Sequence, residues 1–224
     1  MALMLVVSGC AAPTGDDDPS VDDSESALVE KYDVNNLLED DDVRGGTKLS
    51  AERIQKFLQD KGSYLATYAE NKRSAATMIA ESAARFDINP VYLLARIQVE
   101  SSLITSGTNR SIKSATGCAC PDNAACSRQS AGFGKQVECA AGLHAAYFDE
   151  IDRNGETRAA WAVGRKKRTL DPCSVTPRNK ATAAIYTYTP WVGTRGQQCS
   201  SRGSSGSTTL VAIYKGYAAE LSSL

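Results

Sequence analysis

One carboxylate in this sequence stands where acid–base chemistry is expected. The segment Asn89-Pro90-Val91-Tyr92-Leu93-Leu94-Ala95-Arg96-Ile97-Gln98-Val99-Glu100-Ser101-Ser102 reads as a mostly apolar helix. Asn89 has the side chain of an N-cap, and Pro90 fits the first helical position, where its missing N–H costs nothing. Leu93, Ile97 and Glu100 are spaced i, i+4, i+7 and so share a face. An acid on a buried face is costly unless it is paired, hydrogen-bonded or protonated. Partial desolvation raises a carboxyl pKa and makes the group a proton donor near neutral pH, which is what a general acid in glycosidic-bond cleavage requires. The plainer alternative is a glutamate at a helix end that points to water.

Other chemistry has weaker carriers. Ser101 is a nucleophile in principle, but the one histidine, His144, falls on a separate helix, which argues against a Ser-His triad. Asp122 is the best candidate for a second carboxylate; an Asx turn after Pro121 is its competing role. Asp149, Glu150 and Asp152 look like a solvated helix end. Cys118-Ala119-Cys120 is a CxC rather than a CxxC, so no metal or other cofactor is expected.

The elements that must position Glu100 are helical. Ser50 caps a helix with Ile54, Phe57 and Leu58 on one face and Gly62 after its end. Ser74 opens another, with Ala75, Met78, Ile79, Ala83 and Phe86 along its stripe. The Glu100 helix follows. Residues 105–134 are rich in Ser, Gly and Cys and form a long loop, and such loops in compact domains are usually functional. Gln136 to about Ile151 is helical again, with Val137, Ala140, Ala141 and Phe148 in phase. Residues 153–177 are basic and irregular. Asn179 to Tyr188 is a short helix stopped by Pro190, and a Gly/Ser-rich loop, 193–207, precedes a last helix bearing Leu210, Ile213, Tyr214, Tyr217 and Leu221. No alternating strand pattern stands out, so the expected class is mainly α with disulfide-pinned loops.

The 224 residues suffice for one domain and a tail, and 42% hydrophobic content supports a core. The net charge of −1 hides an asymmetry: residues 11–46 hold twelve acids against Lys31 and Arg44, and the rest holds 14 acids against 23 bases, a net of +9. The acidic segment 11–46 reads as a disordered tether, in which only Tyr32–Leu38 has the apolar content to fold locally, and Gly45-Gly46 marks its end. The basic remainder, 47–224, points to a polyanionic partner: nucleic acid, an anionic glycan or a cell wall.

Six of the seven cysteines lie between 118 and 199, which indicates three disulfides and an oxidising compartment. The seventh, Cys10, ends Val7-Ser8-Gly9-Cys10 after the apolar Met1–Val7. This resembles a bacterial lipoprotein signal, with Cys10 as the lipidated residue. The apolar stretch is short and no Lys or Arg precedes it. Taken so, residues 1–10 are signal and anchor, and the chain belongs on a bacterial envelope, facing the periplasm or the exterior.

Three segments in order resemble the soluble lytic transglycosylases and goose-type lysozymes. Gln98-Val99-Glu100-Ser101-Ser102 is similar to the helix end bearing their catalytic Glu-Ser. Gly132-Phe133-Gly134-Lys135-Gln136-Val137 is similar to their Gly-rich turn leading to Gln, with one residue more. Ala184-Ile185-Tyr186-Thr187-Tyr188-Thr189-Pro190-Trp191 stands where the family has Tyr-Asn-Ala-Gly, although Asn-Ala-Gly is absent. Together with Ala115-Thr116-Gly117 and Cys120-Pro121-Asp122, the set looks like a secreted, Cys-containing branch of lysozyme-like proteins and covers about 49–222.

The resemblance implies a lysozyme-like domain that cleaves the N-acetylmuramic acid–N-acetylglucosamine bond of peptidoglycan. Glu100 is then acid and afterwards base, giving a 1,6-anhydro product without water and without a second carboxylate. It also implies substrate contacts at Ser101, Gly132, Phe133, Gln136, Tyr186 and Tyr188, with one tyrosine hydroxyl bonded to the acid. Tyr186 and Tyr188 lie on different sides of their helix, so one of them faces the cleft. The expected partners are glycan strands and, through the lipid anchor only, a membrane; nucleic acid is not expected, and a monomer is assumed. Two alternatives stay open: a hydrolytic muramidase using Asp122, and a non-catalytic glycan-binding lipoprotein. For the disulfides, Cys120 and Cys126 bracket a short turn, Cys173 and Cys199 flank the Tyr186 helix, and Cys118 with Cys139 remain.

Overall fold

The computed structural model describes residues 30–46, 48–109, 111–120, 126, 129–199 and 206–223. Cys10, most of the acidic segment and Asp122 lie outside the described residues. Among those described there are seven α-helices: α1 (Asp40–Val43), α2 (Ala51–Asp60), α3 (Ala75–Phe86), α4 (Pro90–Ser101), α5 (Phe133–Asn154), α6 (Lys180–Tyr188) and α7 (Ser207–Ser222). Two antiparallel hairpins accompany them. In the first, β1 (Ala69–Glu70) pairs with β2 (Arg73–Ser74); in the second, β3 (Lys167–Arg168) pairs with β4 (Ser174–Val175). The first turns on Asn71 and Lys72, both at positive φ, the backbone of a tight two-residue hairpin.

The helix starts follow from local chemistry. Ser50, Ser74, Asn89 and Asn179 each accept a hydrogen bond from a first-turn amide: Arg53, Thr77, Val91 and Thr182 respectively. α5 begins at Phe133, three residues before the expected Gln136, with Gly132 at φ +115 as its N-cap. Helix α4 is buried on every side from Pro90 to Ile97 and packs against α3, α5 and α7. Its N-terminal half is therefore core, and only its last turn reaches solvent. The three disulfides, Cys118–Cys139, Cys120–Cys126 and Cys173–Cys199, are the pairs read from the spacing.

The acidic segment does not end at Gly46 as a tether. From residue 30 it is part of the fold: Tyr32, Val34, Leu37, Leu38 and Val43 are buried in the same core as the helices. Gln197 donates its amide to Tyr32 O at 2.8 Å, and Asn89 donates to Val43 O at 2.9 Å. The acids themselves hold the segment down. Asp40 Oδ1 accepts from the Ala181 amide at 2.8 Å, at the positive end of α6, and Asp42 Oδ1 accepts from Tyr214 Oη at 2.8 Å. Glu39 and Asp42 form a reciprocal capping box on α1. The folded unit thus starts before residue 47. Over 30–224 it carries 20 acids and 25 bases, so its net charge is +5 rather than +9.

Candidate active site

Glu100 lies in the last turn of α4, which Ser102 closes in the left-handed conformation, its amide donating to Gln98 O at 2.9 Å. The Glu100 side chain keeps 29% of its exposure and faces a cleft of about 410 Å³. Arg96, Gly117, Tyr188, Thr189 and Trp191 form the cleft wall with it. Gly117 adopts φ +68, and a Cβ there would stand 3.7 Å from Glu100 Oε2. Backbone alone therefore comes up against the carboxylate on that side.

Glu100 is not the unpaired acid that the apolar face implied. Arg96, one turn earlier and only 1% exposed, donates from Nη1 to Glu100 Oε1 at 3.0 Å. The same Nη1 donates to Thr189 Oγ1 at 2.9 Å, and Nη2 donates to Tyr92 Oη at 3.1 Å. The guanidinium also lies over the Tyr188 ring, 4.5 Å from its centroid. Burial works against the Arg96 charge, but Tyr92 and Glu100 beside it hold it, and the net direction of its pKa is upward. Arg96 is thus a permanent buried cation whose one carboxylate partner opens onto the cleft.

His144 supports this cluster from below. It is wholly buried, stacked on Tyr188 at 4.9 Å and edge-on to Tyr92. Its Nδ1 lies 2.8 Å from Ala140 O, a pure acceptor, so Nδ1 carries the proton. Burial, reinforced by Arg96, pushes its pKa down to about 3. It is a neutral ring in the packing and not a proton carrier for the cleft.

The structure separates the other expected substrate contacts. Tyr188 borders the cleft, but its hydroxyl donates to Thr116 O at 2.6 Å rather than to Glu100. Tyr186 is fully buried, stacked on Trp161, and donates to Val34 O at 3.0 Å, so it does not reach the cleft. Phe133 is also fully buried, against Tyr68. Gly132 lies near Glu70, where an added Cβ would come within 3.1 Å of the carboxylate. Ser101 donates back to Ile97 O of its own helix at 2.8 Å.

Gln136 has no exposed surface. Its Oε1 accepts from the Thr116 and Cys118 amides at 3.3 and 3.1 Å, and its Nε2 donates to Cys118 O and Ser130 O at 2.8 and 2.7 Å. These bonds tie the Cys-rich loop to α5, alongside the Cys118–Cys139 bridge. Phe133, Gln136 and Tyr186 therefore build the scaffold and do not touch a ligand in the cleft.

Two cleft residues escaped the sequence reading of the site. Arg96 was visible as the one cation in an apolar run, four residues before Glu100, which is ion-pair spacing on a helix. Trp191 was visible as an aromatic that Pro190 excludes from helix α6. It is 45% exposed at the cleft edge. Its loop is held by Asp171, whose carboxylate accepts from the amides of Val192 at 2.9 Å and Gly193 at 3.0 Å and from Thr169 Oγ1 at 2.6 Å.

These features define a mainly α, disulfide-bonded protein with a polar cleft in which the described residues include one carboxylate, its buried cation and an exposed indole. No family model, curated protein or solved structure matches the chain. Among the described residues no helix is long and apolar enough to cross a membrane, and no cluster of three or more His, Cys, Asp or Glu is arranged for a metal ion.

Proposed function

We propose that this chain cleaves the glycan strands of peptidoglycan as a lytic transglycosylase, with Glu100 as its single acid/base. The observation that carries the reading is the partly exposed Glu100, the one carboxylate among the described residues of a cleft of about 410 Å³ whose edge bears the half-exposed Trp191. An indole face is a natural platform for the apolar face of a pyranose, and a polar wall suits its hydroxyls.

Protonated Glu100 gives its proton to the oxygen linking muramyl C1 to the next sugar. The C1–O bond breaks and its electron pair stays on the leaving oxygen. Arg96, always charged, stabilises the carboxylate left behind. That carboxylate then takes the proton of the muramyl 6-hydroxyl as its oxygen bonds to C1, which closes the 1,6-anhydro ring and restores the acid. The cycle consumes no water. On this reading the lysozyme-like resemblance describes the domain, and Cys10 anchors it to a bacterial envelope by lipid.

One observation favours a second reading, glycan binding without turnover. The Tyr188 hydroxyl is spent on Thr116 O, and Glu100 is already ion-paired. Digestion of purified peptidoglycan by the full chain separates the readings by product mass. The proposal expects anhydromuramyl ends. Products heavier by one water make the protein a muramidase, and retention on peptidoglycan with no products makes it a binding protein.

A further inference from the structure

Beside the cleft the molecule carries a feature that the cleft chemistry does not use. From Lys166 to Leu170 the chain alternates: Lys166, Arg168 and Leu170 are exposed, while Lys167 is half-buried and Thr169 is buried. Lys167–Arg168 is strand β3, where successive side chains point to opposite faces, and the exposed Lys166, Arg168 and Leu170 are separated by the inward Lys167 and Thr169. The inward residues are occupied: Lys167 lies over the Trp161 ring, and Thr169 is bonded to Asp171 and Cys173. Among the described residues the side chains of Lys166 and Arg168 have no hydrogen bond or ion pair, whereas neighbouring Arg165 is paired with Glu156.

Leu170 is joined to the segment that carries the cleft edge. The Leu170 amide donates to Pro190 O at 2.8 Å, so Leu170, 63% exposed, abuts the segment that carries Trp191. Asp171 locks the two loops together through the Val192 and Gly193 amides. A ridge thus leads from two uncompensated cations through an exposed leucine to the indole at the Glu100 cleft. Of the three large exposed hydrophobic side chains among the described residues, two lie on it.

Resting on the glycan reading above, we infer that the Lys166–Arg168–Leu170 ridge is an extension of the cleft that binds acidic substituents of the strand. Carboxylate-bearing peptide side chains of peptidoglycan meet Lys166 and Arg168, while sugar and apolar groups lie along Trp191 and Leu170. The charge is complementary, and Leu170 is hydrogen-bonded to Pro190, the neighbour of Trp191 at the cleft edge. The chain therefore prefers peptide-bearing, anionic strands to neutral ones.

The test uses the full chain carrying Glu100→Gln, so that ligands stay intact. Its affinity is measured for soluble peptidoglycan strands with acidic stem peptides and for neutral N-acetylglucosamine oligomers. The expected result is an affinity for the anionic strand about two- to tenfold higher at low salt, the size that two exposed ion pairs supply. Adding Lys166→Gln and Arg168→Gln, or raising salt to about 0.5 M, closes this gap and leaves the neutral oligomer unaffected. Adding Trp191→Ala weakens both ligands alike. A gap that survives the double substitution overturns the ridge proposal and leaves the glycan reading standing. So does unchanged strand binding accompanied by lost binding to anionic phospholipid vesicles, which makes the ridge a membrane contact. Failure of the parent protein to bind either glycan overturns the glycan reading, and the ridge proposal with it.

Discussion

Two buried polar clusters meet at Thr116, and they are built to opposite specifications. On one side Gln136 is enclosed, and backbone groups of Thr116, Cys118 and Ser130 meet both ends of its amide. On the other side Arg96 brings a full charge into the interior, spreads it over Tyr92, Thr189 and Glu100, and leaves Nε without a partner among the described residues. Tyr188 joins the two: its ring lies under the Arg96 guanidinium, and its hydroxyl bonds to Thr116 O. The neutral cluster is closed and fixes a loop. The charged one is open at a single atom pair, the Glu100 carboxylate, and that opening is the cleft. A closed neutral network stabilises; a buried charge is a costly way to stabilise and a useful way to hold a carboxylate in place.

Substitutions across the two clusters should therefore rank in opposite orders for stability and for glycan cleavage. Gln136→Leu strands several backbone groups in the interior and should cost about 3 kcal/mol or more. That is a fall in Tm of roughly 6–12 °C for a domain of this size, with residual folded protein still cleaving strands; calorimetry paired with a digestion assay measures both. Next comes the Cys118→Ser/Cys139→Ser pair, at about 2–4 kcal/mol in the same assays.

The charged side adds a pH dependence. His144 has a folded pKa of about 3, against a value near 6.5 when unfolded, so between these limits the unfolded chain binds the extra proton. Its contribution is intact above about pH 6.5 and is lost as pH falls, by up to about 1.4 kcal/mol per unit. Denaturant midpoints measured from pH 7 to 4.5 should show this slope, and His144→Phe should flatten it. Arg96→Met should cost only about 1–2 kcal/mol, because Glu100 has water to turn to. It should lower cleavage by about ten- to a hundredfold through lost positioning of the carboxylate, with partial recovery in Arg96→Lys. Trp191→Ala should leave Tm almost unchanged, within about 0.5 kcal/mol, while weakening strand binding by about tenfold.

Much of the fold was readable because its signals are local. Ser50, Ser74, Asn89-Pro90 and Asn179 announce helices in their own side chains, and the apolar periodicity fills in the rest. In the segment at 30–46 only Tyr32–Leu38 was legible as able to fold, because composition speaks for the average residue. Its acids look like solvated repeats, yet Asp40 and Asp42 are used at particular amides and hydroxyls, and Tyr32, Val34, Leu37, Leu38 and Val43 are enough to bury it. In the site, Glu100 was legible from its position at the end of an apolar helix. Its partner was hidden, because Arg96 lies off the Leu93–Ile97 face and reaches the carboxylate from one turn away. Gln136 and Tyr186 were assigned to ligand by likeness of motif. Only the tertiary structure shows that their polar atoms are consumed by backbone at Cys118, Ser130 and Val34.

The most direct measurement compares the full chain with Glu100→Gln in the digestion of purified peptidoglycan, alongside thermal unfolding of both. The amide keeps the side chain's size and can still accept from Arg96, but it cannot exchange a proton. The account predicts a loss of anhydromuramyl product of about 10²–10⁴-fold with an unfolding midpoint close to that of the parent. Undiminished cleavage by a folded Glu100→Gln protein would contradict it and would move the chemistry away from this cleft.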